Sequence, residues 1–291
     1  MSPRAAAARR VKRARFVEGV AKFVTGACLM FTVVATLTII GVIIWRGLPS
    51  ISLEFIFGMP KKNMTAGGIW PAIYGTIMLT MGTALFALPL GIAAGVYLAE
   101  YAKRGTGTRI VRLSIANMAG VPSIVYGLFG LSLFVIVLRF GVSLLAGSLT
   151  LAALTLPIII TSTEESLRQV PQDLRQASLA LGASKLRTIL RVVLPAAAPG
   201  IVTGSILGLS RAAGETAPII FTAAAFYAPL PNSPFDQVMA LPYHLYIMAT
   251  QAVKPAPNIV WGTAFVLVVG VTVAGVFAAA WRSRQRSKVR W

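Results

Sequence analysis

The chain has few of the residues from which enzymes and metal sites are built. Its 291 residues include one cysteine, one histidine and eight acidic residues. Cys28 and His244 cannot form a disulfide or a metal framework within one chain, and we expect His244 to lie at a membrane interface. The sequence also lacks a Gly-x-x-x-x-Gly-Lys-Ser/Thr phosphate loop and a Gly-x-Ser-x-Gly elbow. We therefore expect a non-catalytic chain without a cofactor or metal of its own.

Charged residues of either sign are scarce. They make up 12% of the chain, against 56% hydrophobic residues, and the mean hydropathy is +0.77. A soluble domain carries about twice that charged fraction, so the composition predicts an all-α, polytopic membrane protein. Six apolar spans are long enough to cross a bilayer. They cover residues 20–45, 70–99, 112–138, 142–163, 196–225 and 258–281.

The basic residues that are present lie mainly on one side of these spans. With the N terminus inside, 21 of the 27 Lys and Arg residues fall on the cytoplasmic side. The positive-inside rule then predicts that both termini lie in the cytoplasm. We expect the chain to be located in the plasma membrane. The net charge of +19 reflects these loops and predicts contact with lipid, with no nucleic acid partner.

This topology divides the chain into four parts. Residues 1–19 and 282–291 are basic cytoplasmic tails, and residues 20–69 hold the first span and an outer loop. Residues 70–281 form the membrane domain, with a cytoplasmic loop at 164–195. The proline-rich outer segment 226–257 is predicted to form turns and short interfacial helices.

The cytoplasmic loop contains two short helices rather than an irregular connection. The first covers about residues 172–181, and Gly182 allows the sharp turn that follows. The second begins after the N-cap Ser184 and is expected to stop at Pro195. Its apolar residues Leu186, Ile189, Leu190 and Val193 have helical spacing, with Lys185, Arg187 and Arg191 opposite. The pattern predicts an amphipathic helix-turn-helix.

The spacing within this loop resembles the signature loop of ABC importer permeases. That signature has Glu-Ala-Ala, three residues, Gly, nine residues, Ile, one residue and Leu-Pro. This chain has Gln176, Ala177 and Ser178, then Gly182, and finally Val192, Leu194 and Pro195. The resemblance implies that Gln176, Ala177, Ser178, Gly182 and Pro195 couple the chain to an ATPase subunit. The alternative is an interfacial helix that lies on lipid.

Polar residues within the spans are candidates for a substrate pathway. Arg211 and Glu215 lie four positions apart in the fifth span, where isolated charges would be costly in lipid. They either attract an anion, which a guanidinium suits, or neutralise each other and fix helix packing. Thr76, Thr80 and Thr83 form a stripe in the second span, either for helix packing or as a pathway lining. Pro89 and Pro122 are expected to interrupt the second and third spans.

Three further segments resemble the PstA-type permease subunits of ABC phosphate importers. They are Gly67–Thr76, Gly120–Phe129 and Arg211–Pro218. The resemblance implies the type I ABC importer permease fold, with six transmembrane helices, and transport of inorganic phosphate. It also implies a PstC-like second permease, a PstS-like phosphate-binding protein and two PstB-like ATPase subunits that bind ATP and Mg²⁺. Permeases for sulfate or molybdate, and a passive anion channel, remain as alternatives.

Overall fold

The protein is built almost entirely of helices. The computed structural model describes residues 3–61, 64, 66–103, 105–251 and 256–286, and for residues 3–14, 278 and 281–286 it describes the backbone only. The α-helices are α1 (Pro3–Gly47), α2 (Leu53–Phe57), α3 (Trp70–Val96), α4 (Thr106–Ala119), α5 (Ser123–Gly130), α6 (Leu144–Arg168), α7 (Gln172–Ala180), α8 (Lys185–Thr188), α9 (Leu194–Ala213), α10 (Ala217–Thr222), α11 (Leu241–Thr250) and α12 (Pro257–Arg286). Three π-helical segments, Tyr97–Tyr101, Leu131–Val137 and Ile189–Val193, extend α3, α5 and α8, and a 3₁₀ turn, Leu48–Ser50, follows α1. The strands β1 (Pro60–Lys61) and β2 (Ala66–Gly67) pair antiparallel.

Among the described residues, five helical stretches are long and apolar enough to cross a membrane. They are Arg15–Ser50, Trp70–Tyr101, Leu144–Arg168, Lys185–Ala213 and Pro257–Phe277. The pair Thr106–Ala119 and Ser123–Val137 passes the same test together but is bent by 100°. Counted as one crossing, the pair gives the six spans that the sequence predicts.

The bend between α4 and α5 lies within the predicted third span 112–138, at the proline that was expected to interrupt it. Pro122 caps the start of α5 with an extended ψ of 139°, which residues within a helix cannot adopt. The chain before a proline also avoids helical geometry. The Tyr126 hydroxyl donates to the Met118 carbonyl oxygen at 2.9 Å, which fixes the bend. Pro122 therefore breaks the third span as expected, whereas Pro89 lies inside a continuous α3, contrary to the prediction.

Helix α6 is the centre of the bundle and is flanked by α3 and α9. Glycines on both neighbours allow the close approach, since a Cβ at Gly91 or Gly95 of α3 would meet the Ile159 or Thr163 side chain. On an adjacent strip of α6, a Cβ at Gly200 or Gly204 of α9 would meet the Ser166 or Ser162 side chain. Small residues four positions apart are a common contact between membrane helices. The buried face of α6 explains why its hydroxyl residues donate to carbonyls of their own helix.

The helix that starts at Lys185 does not stop at Pro195. It continues through the π-helical segment Ile189–Val193 into α9 and ends only at Ala213. Proline has no N–H to donate, and a π-helical turn just before it changes the hydrogen-bond register without breaking the helix. The predicted stop at Pro195 is therefore wrong, and the predicted fifth span 196–225 becomes one helix from Lys185, a break at 214–216, and α10.

The two ends of the bundle are named after the short helices that lie there. The α7 end holds Gln172–Ala180, and the α11 end holds Leu241–Thr250. Helix α1 has no buried residue in its spanning window, and it meets α12 closely where Gly47 touches Trp261 and Phe265. Since the last turn of α1 meets the first turns of α12, both helices extend from the α11 end and run antiparallel to each other. The predicted basic tails at 3–19 and 282–286 are part of α1 and α12, and 287–291 lie outside the described residues.

Candidate functional site

Helix α7 stands at one end of the bundle and carries three of the predicted coupling residues. It begins after Pro171 and ends at Ala180, within one residue of the prediction. Gln176 and Ala177 are exposed. Gly182 has a φ of +80°, and its N–H donates to the Leu179 carbonyl oxygen at 3.0 Å. This left-handed glycine ends α7 and turns the chain towards α8, as the sequence predicts.

The turn brings α7 and α8 into direct contact. The Ser178 and Thr188 hydroxyls lie 2.9 Å apart in a hydrogen bond. Ser184 accepts from the Arg187 N–H at 3.3 Å, which confirms it as the N-cap of α8. Pro195, the last of the predicted coupling residues, is exposed near the start of α9 rather than within this turn. The structure therefore brings four of the five predicted coupling residues to one hairpin and separates the fifth.

The exposed surface of this hairpin carries large apolar side chains beside its charged ones. Four leucines are exposed, namely Leu179, Leu181, Leu186 and Leu190. The sequence predicts Leu186 and Leu190 on the packed face with Ile189 and Val193, but only the last two are buried. Helix α8 continues into the long helix α9, and the side that packs on the bundle is shifted from the predicted one. It carries Thr188, Ile189 and Val193. Exposed leucines on a water-facing hairpin indicate a protein contact surface.

An arginine that the sequence analysis did not single out anchors α7 to the bundle. The Arg175 Nη2 donates to Glu100 Oε1 at 2.8 Å and to the Leu167 carbonyl oxygen at 2.7 Å. Its Nη1 donates to the Val170 carbonyl oxygen. The side chains of Arg175 and Glu100 are only 12% and 9% exposed. One guanidinium therefore satisfies the last carbonyls of α6 and a carboxylate at the end of α3 together.

A second ionic cluster lies at the same end and was also missed. Glu164 Oε1 accepts from Arg112 Nε at 2.8 Å and pairs with Arg168 Nη2 at 2.7 Å. Arg112 Nη2 also donates to the Leu98 carbonyl oxygen at 2.9 Å. This cluster ties α4 to α6 and to the last turns of α3. Acidic residues are rare in the chain, so Glu100 and Glu164 were the available sequence signal for both pairs.

The predicted pathway residues meet in a narrow crevice nearer the α11 end. Its lining includes Thr76, Thr80, Glu215, Ala240 and Pro242. The Thr76 hydroxyl donates to the Ala72 carbonyl oxygen and accepts from the Leu241 N–H, each at 2.8 Å. The Thr80 hydroxyl donates to the Thr76 carbonyl oxygen at 2.7 Å. Both hydroxyl protons are therefore held by α3 itself, and Thr76 fixes the start of α11.

Arg211 and Glu215 stand on the two sides of the break that ends α9. The helix stops at Ala213, so the pair does not share one regular helix as predicted. Arg211 Nε nevertheless lies 3.3 Å from Glu215 Oε1. The arginine side chain is 52% exposed and the glutamate side chain 17% exposed. Within this chain, Glu215 lines the crevice and Arg211 projects from its rim.

His244 differs from expectation. It lies in α11 and is 4% exposed, with both ring nitrogens buried and without a hydrogen-bond partner among the described residues. It packs inside the α11 end rather than at an interface. Helix α11 and the isolated bridge between Ala224 and Val238 show that residues 226–251 fold onto the bundle, in the turns and short helix that the sequence predicts. Residues 252–255 of this segment lie outside the described residues.

Residues 87–287 match the family of binding-protein-dependent transport system inner membrane components. The chain belongs to this family. Its predicted fold class is confirmed: the helical bundle resembles the permease chain in the crystal structure of a bacterial ABC transporter involved in alginate import, with a TM-score of 0.64 and 13% identity. That alignment covers 90% of this chain and 96% of the other.

Relatives with higher identity carry more specific names. The phosphate transport system permease protein PstA of Mycobacterium leprae is 40% identical, and the alignment covers 77% of this chain and 73% of the relative. A probable phosphate transport system permease protein PstA of Methanocaldococcus jannaschii is 34% identical over 85% of this chain and 87% of the relative. Membership of the family makes this chain a multi-pass membrane component of a transport system, and its relatives are permease subunits.

Proposed function

We propose that this permease is a membrane-spanning subunit of an ATP-driven importer of inorganic phosphate. The similarity to PstA phosphate permeases over most of the chain carries the proposal. The anion-pairing chemistry of Arg211 agrees with it, because a guanidinium offers paired donors to an oxyanion.

The chain supplies one side of the translocation pathway in this proposal. The crevice beside Thr76 and Glu215 is too narrow for a phosphate ion and its hydration shell, and Arg211 is more than half exposed at its rim. Two such faces, one from this chain and one from a PstC-like second permease, would enclose a pathway between them. Arg211 then faces the shared space and attracts the anion, while Glu215 neutralises the guanidinium when the pathway is empty.

In this proposal ATP hydrolysis acts on the permease at the α7 end. The exposed leucines and α7 dock on one of two PstB-like ATPase subunits, which bind ATP and Mg²⁺ and perform the hydrolysis. This chain itself is not an enzyme. A PstS-like protein delivers phosphate at the α11 end. Both termini and α7 lie in the cytoplasm in this proposal, which the distribution of Lys and Arg supports.

Reconstituted vesicles test the function directly. The complex of this chain with its second permease and its ATPase subunits is inserted into vesicles, and uptake of labelled phosphate is measured with ATP supplied on the α7 side. We expect uptake only with ATP and the loaded binding protein. Uptake of sulfate or molybdate in preference to phosphate would reassign the substrate. Phosphate flux without the ATPase subunits would indicate a channel.

A further inference from the structure

One guanidinium connects three helices at the point where α7 meets the bundle. Arg175 belongs to α7, and it donates to Glu100 at the end of α3 and to the Leu167 and Val170 carbonyl oxygens at the end of α6. Arg175 Nε also donates to Glu100 Oε1, at 3.3 Å. The fork of an arginine holds several acceptors in fixed directions, which a flexible ammonium cannot do.

The pair is well shielded from water. Both side chains are about nine-tenths covered, so the bond between them is screened little by salt. Removing either partner leaves a charge in a poorly solvated place, and such changes are far more harmful than the loss of a surface pair. An ion pair exposed to solvent would allow α7 and α3 to move independently, whereas the buried Arg175–Glu100 pair holds the two helices together.

The end of α3 is also held from the other side of the hairpin. Lys185, the first residue of α8, donates to the Glu100 carbonyl oxygen at 2.6 Å, and its Nζ lies 4.7 Å from the centre of the Tyr101 ring. The main chain and the side chain of Glu100 are thus bound by the two helices of one hairpin. All these contacts fall on the π-helical segment Tyr97–Tyr101, a type of turn that often marks functional positions in helices.

We propose that Arg175 and Glu100 are positioning residues that transmit the movement of α7 to α3. The inference depends on the proposed function, in which α7 docks on an ATPase subunit. Helix α8 continues into α9 without help, but α3 has no covalent link to α7 except through α4, α5 and α6. The Arg175–Glu100 contact is the direct ionic link between them, beside the apolar cluster that Leu174 of α7 shares with Val96 and Ala99. Thr76, at the crevice, lies about 36 Å along α3 from Glu100, at 1.5 Å per residue, so a shift at one end of the helix reaches the other.

The role predicts uncoupling rather than loss of the complex. In reconstituted vesicles, Glu100→Gln and Arg175→Gln should each lower phosphate uptake per ATP hydrolysed, on the order of tenfold for Arg175→Gln, while the ATPase subunits still purify with the permease. Glu100→Gln is the decisive change, because it keeps the size of the side chain and leaves the bonds from Arg175 to α6 in place. If Arg175 only caps the end of α6, Glu100→Gln transports normally, and the proposal is wrong.

A matched control separates this effect from the loss of any arginine at the same end. Arg168→Gln removes an arginine that pairs with Glu164 of its own helix. Among the described residues, the Arg168 side chain forms no ion pair or hydrogen bond with α7. Glu164 keeps its bond to Arg112 in this variant. We expect uptake per ATP close to that of the unaltered complex. A loss equal to that of Arg175→Gln would assign the effect to general destabilisation and overturn the proposal.

A distance measurement tests the same link without relying on the transported ion. Spin labels are placed at Tyr97→Cys and Asp173→Cys, both exposed positions, in a Cys28→Ser background of the complex. We expect one narrow distance distribution that is kept when ATP is added, and a broad one with Arg175→Gln. Unchanged distances in Arg175→Gln would overturn the link. If the unaltered complex fails to import phosphate but the distances behave as expected, the proposed function fails and the link stands.

Discussion

At the scale of single residues, the pair Arg211 and Glu215 shows how a break in a helix changes the meaning of two charges. The sequence predicts both on one helix face, where they either attract an anion or neutralise each other and fix helix packing. In the structure α9 ends between them, so Glu215 lines the crevice while Arg211 stays more than half exposed. An exposed partner contributes little to packing, since ion pairs open to solvent are typically weak. The difference in exposure between the two side chains favours a role for Arg211 beyond fixing helix packing.

A double variant separates the two roles of this pair. Arg211→Gln alone leaves Glu215 without its partner and should reduce both the yield of the complex and uptake, the latter at least about tenfold. Adding Glu215→Gln removes the unpaired charge and should restore the yield but not uptake. Both quantities are measured on the same membranes. Uptake near the unaltered level in the double variant would exclude Arg211 from the pathway.

Gly182 offers a second test at a single position. Proline cannot reach a φ of +80° and has no N–H to donate to Leu179. We expect Gly182→Pro to abolish uptake and the stimulation of ATPase activity by loaded binding protein, with the chain still in the membrane. Gly182→Asn is the matched control, because asparagine tolerates left-handed geometry at a helix end, and it should retain most of the uptake. Normal uptake by the proline variant would contradict the role of this turn.

At the scale of helices, the close packing of α9 on α6 depends on small residues. A Cβ at Gly204 would overlap the Ser162 side chain, whereas one at Gly41 of α1 would meet nothing within 4 Å. Gly204→Val should therefore lower the thermal stability of the purified complex, by about 1–3 kcal/mol in the bundle, and Gly41→Val should not. Thermal unfolding in detergent compares the two variants. Equal stability of Gly204→Val and the unaltered chain would show that α9 can move away from α6.

The same scale shows what a sequence can and cannot predict. The helical class, the bounds of α7, the turn at Gly182 and the break at Pro122 follow from local rules about apolar runs, glycine and proline. The continuation of the helix through Pro195 does not follow from such rules. It depends on the π-helical segment Ile189–Val193 and on the packing of α9 on α6, which are features of the fold. The Arg175–Glu100 pairing could not be predicted either, although Glu100 is one of only eight acidic residues. Its members are 75 residues apart, and nothing but the fold brings them together.

At the scale of the whole molecule, the two ends of the bundle must lie on opposite sides of the membrane. Leu53 is exposed at the α11 end, and Gly105 is exposed at the other. In a Cys28→Ser background, Leu53→Cys should react with an impermeant thiol reagent added outside intact cells, and Gly105→Cys should react only after permeabilisation. The labelled fraction of each is measured by mass shift. The opposite pattern would place α7 outside, where no ATPase could reach it.

The contact between α1 and α12 bears on how the chain is made. α1 leaves the ribosome first, and its partner at Trp261 follows only after some two hundred further residues, which takes on the order of ten seconds or longer at about 5–20 residues per second. During that time α1 must remain in the bilayer without its neighbour. Its four threonines each donate to a carbonyl oxygen four positions earlier, so their hydroxyls need no partner from α12. The threonine hydroxyls of α1 are thus satisfied before α12 arrives, and only then does Arg46 gain its contact with the Trp261 ring.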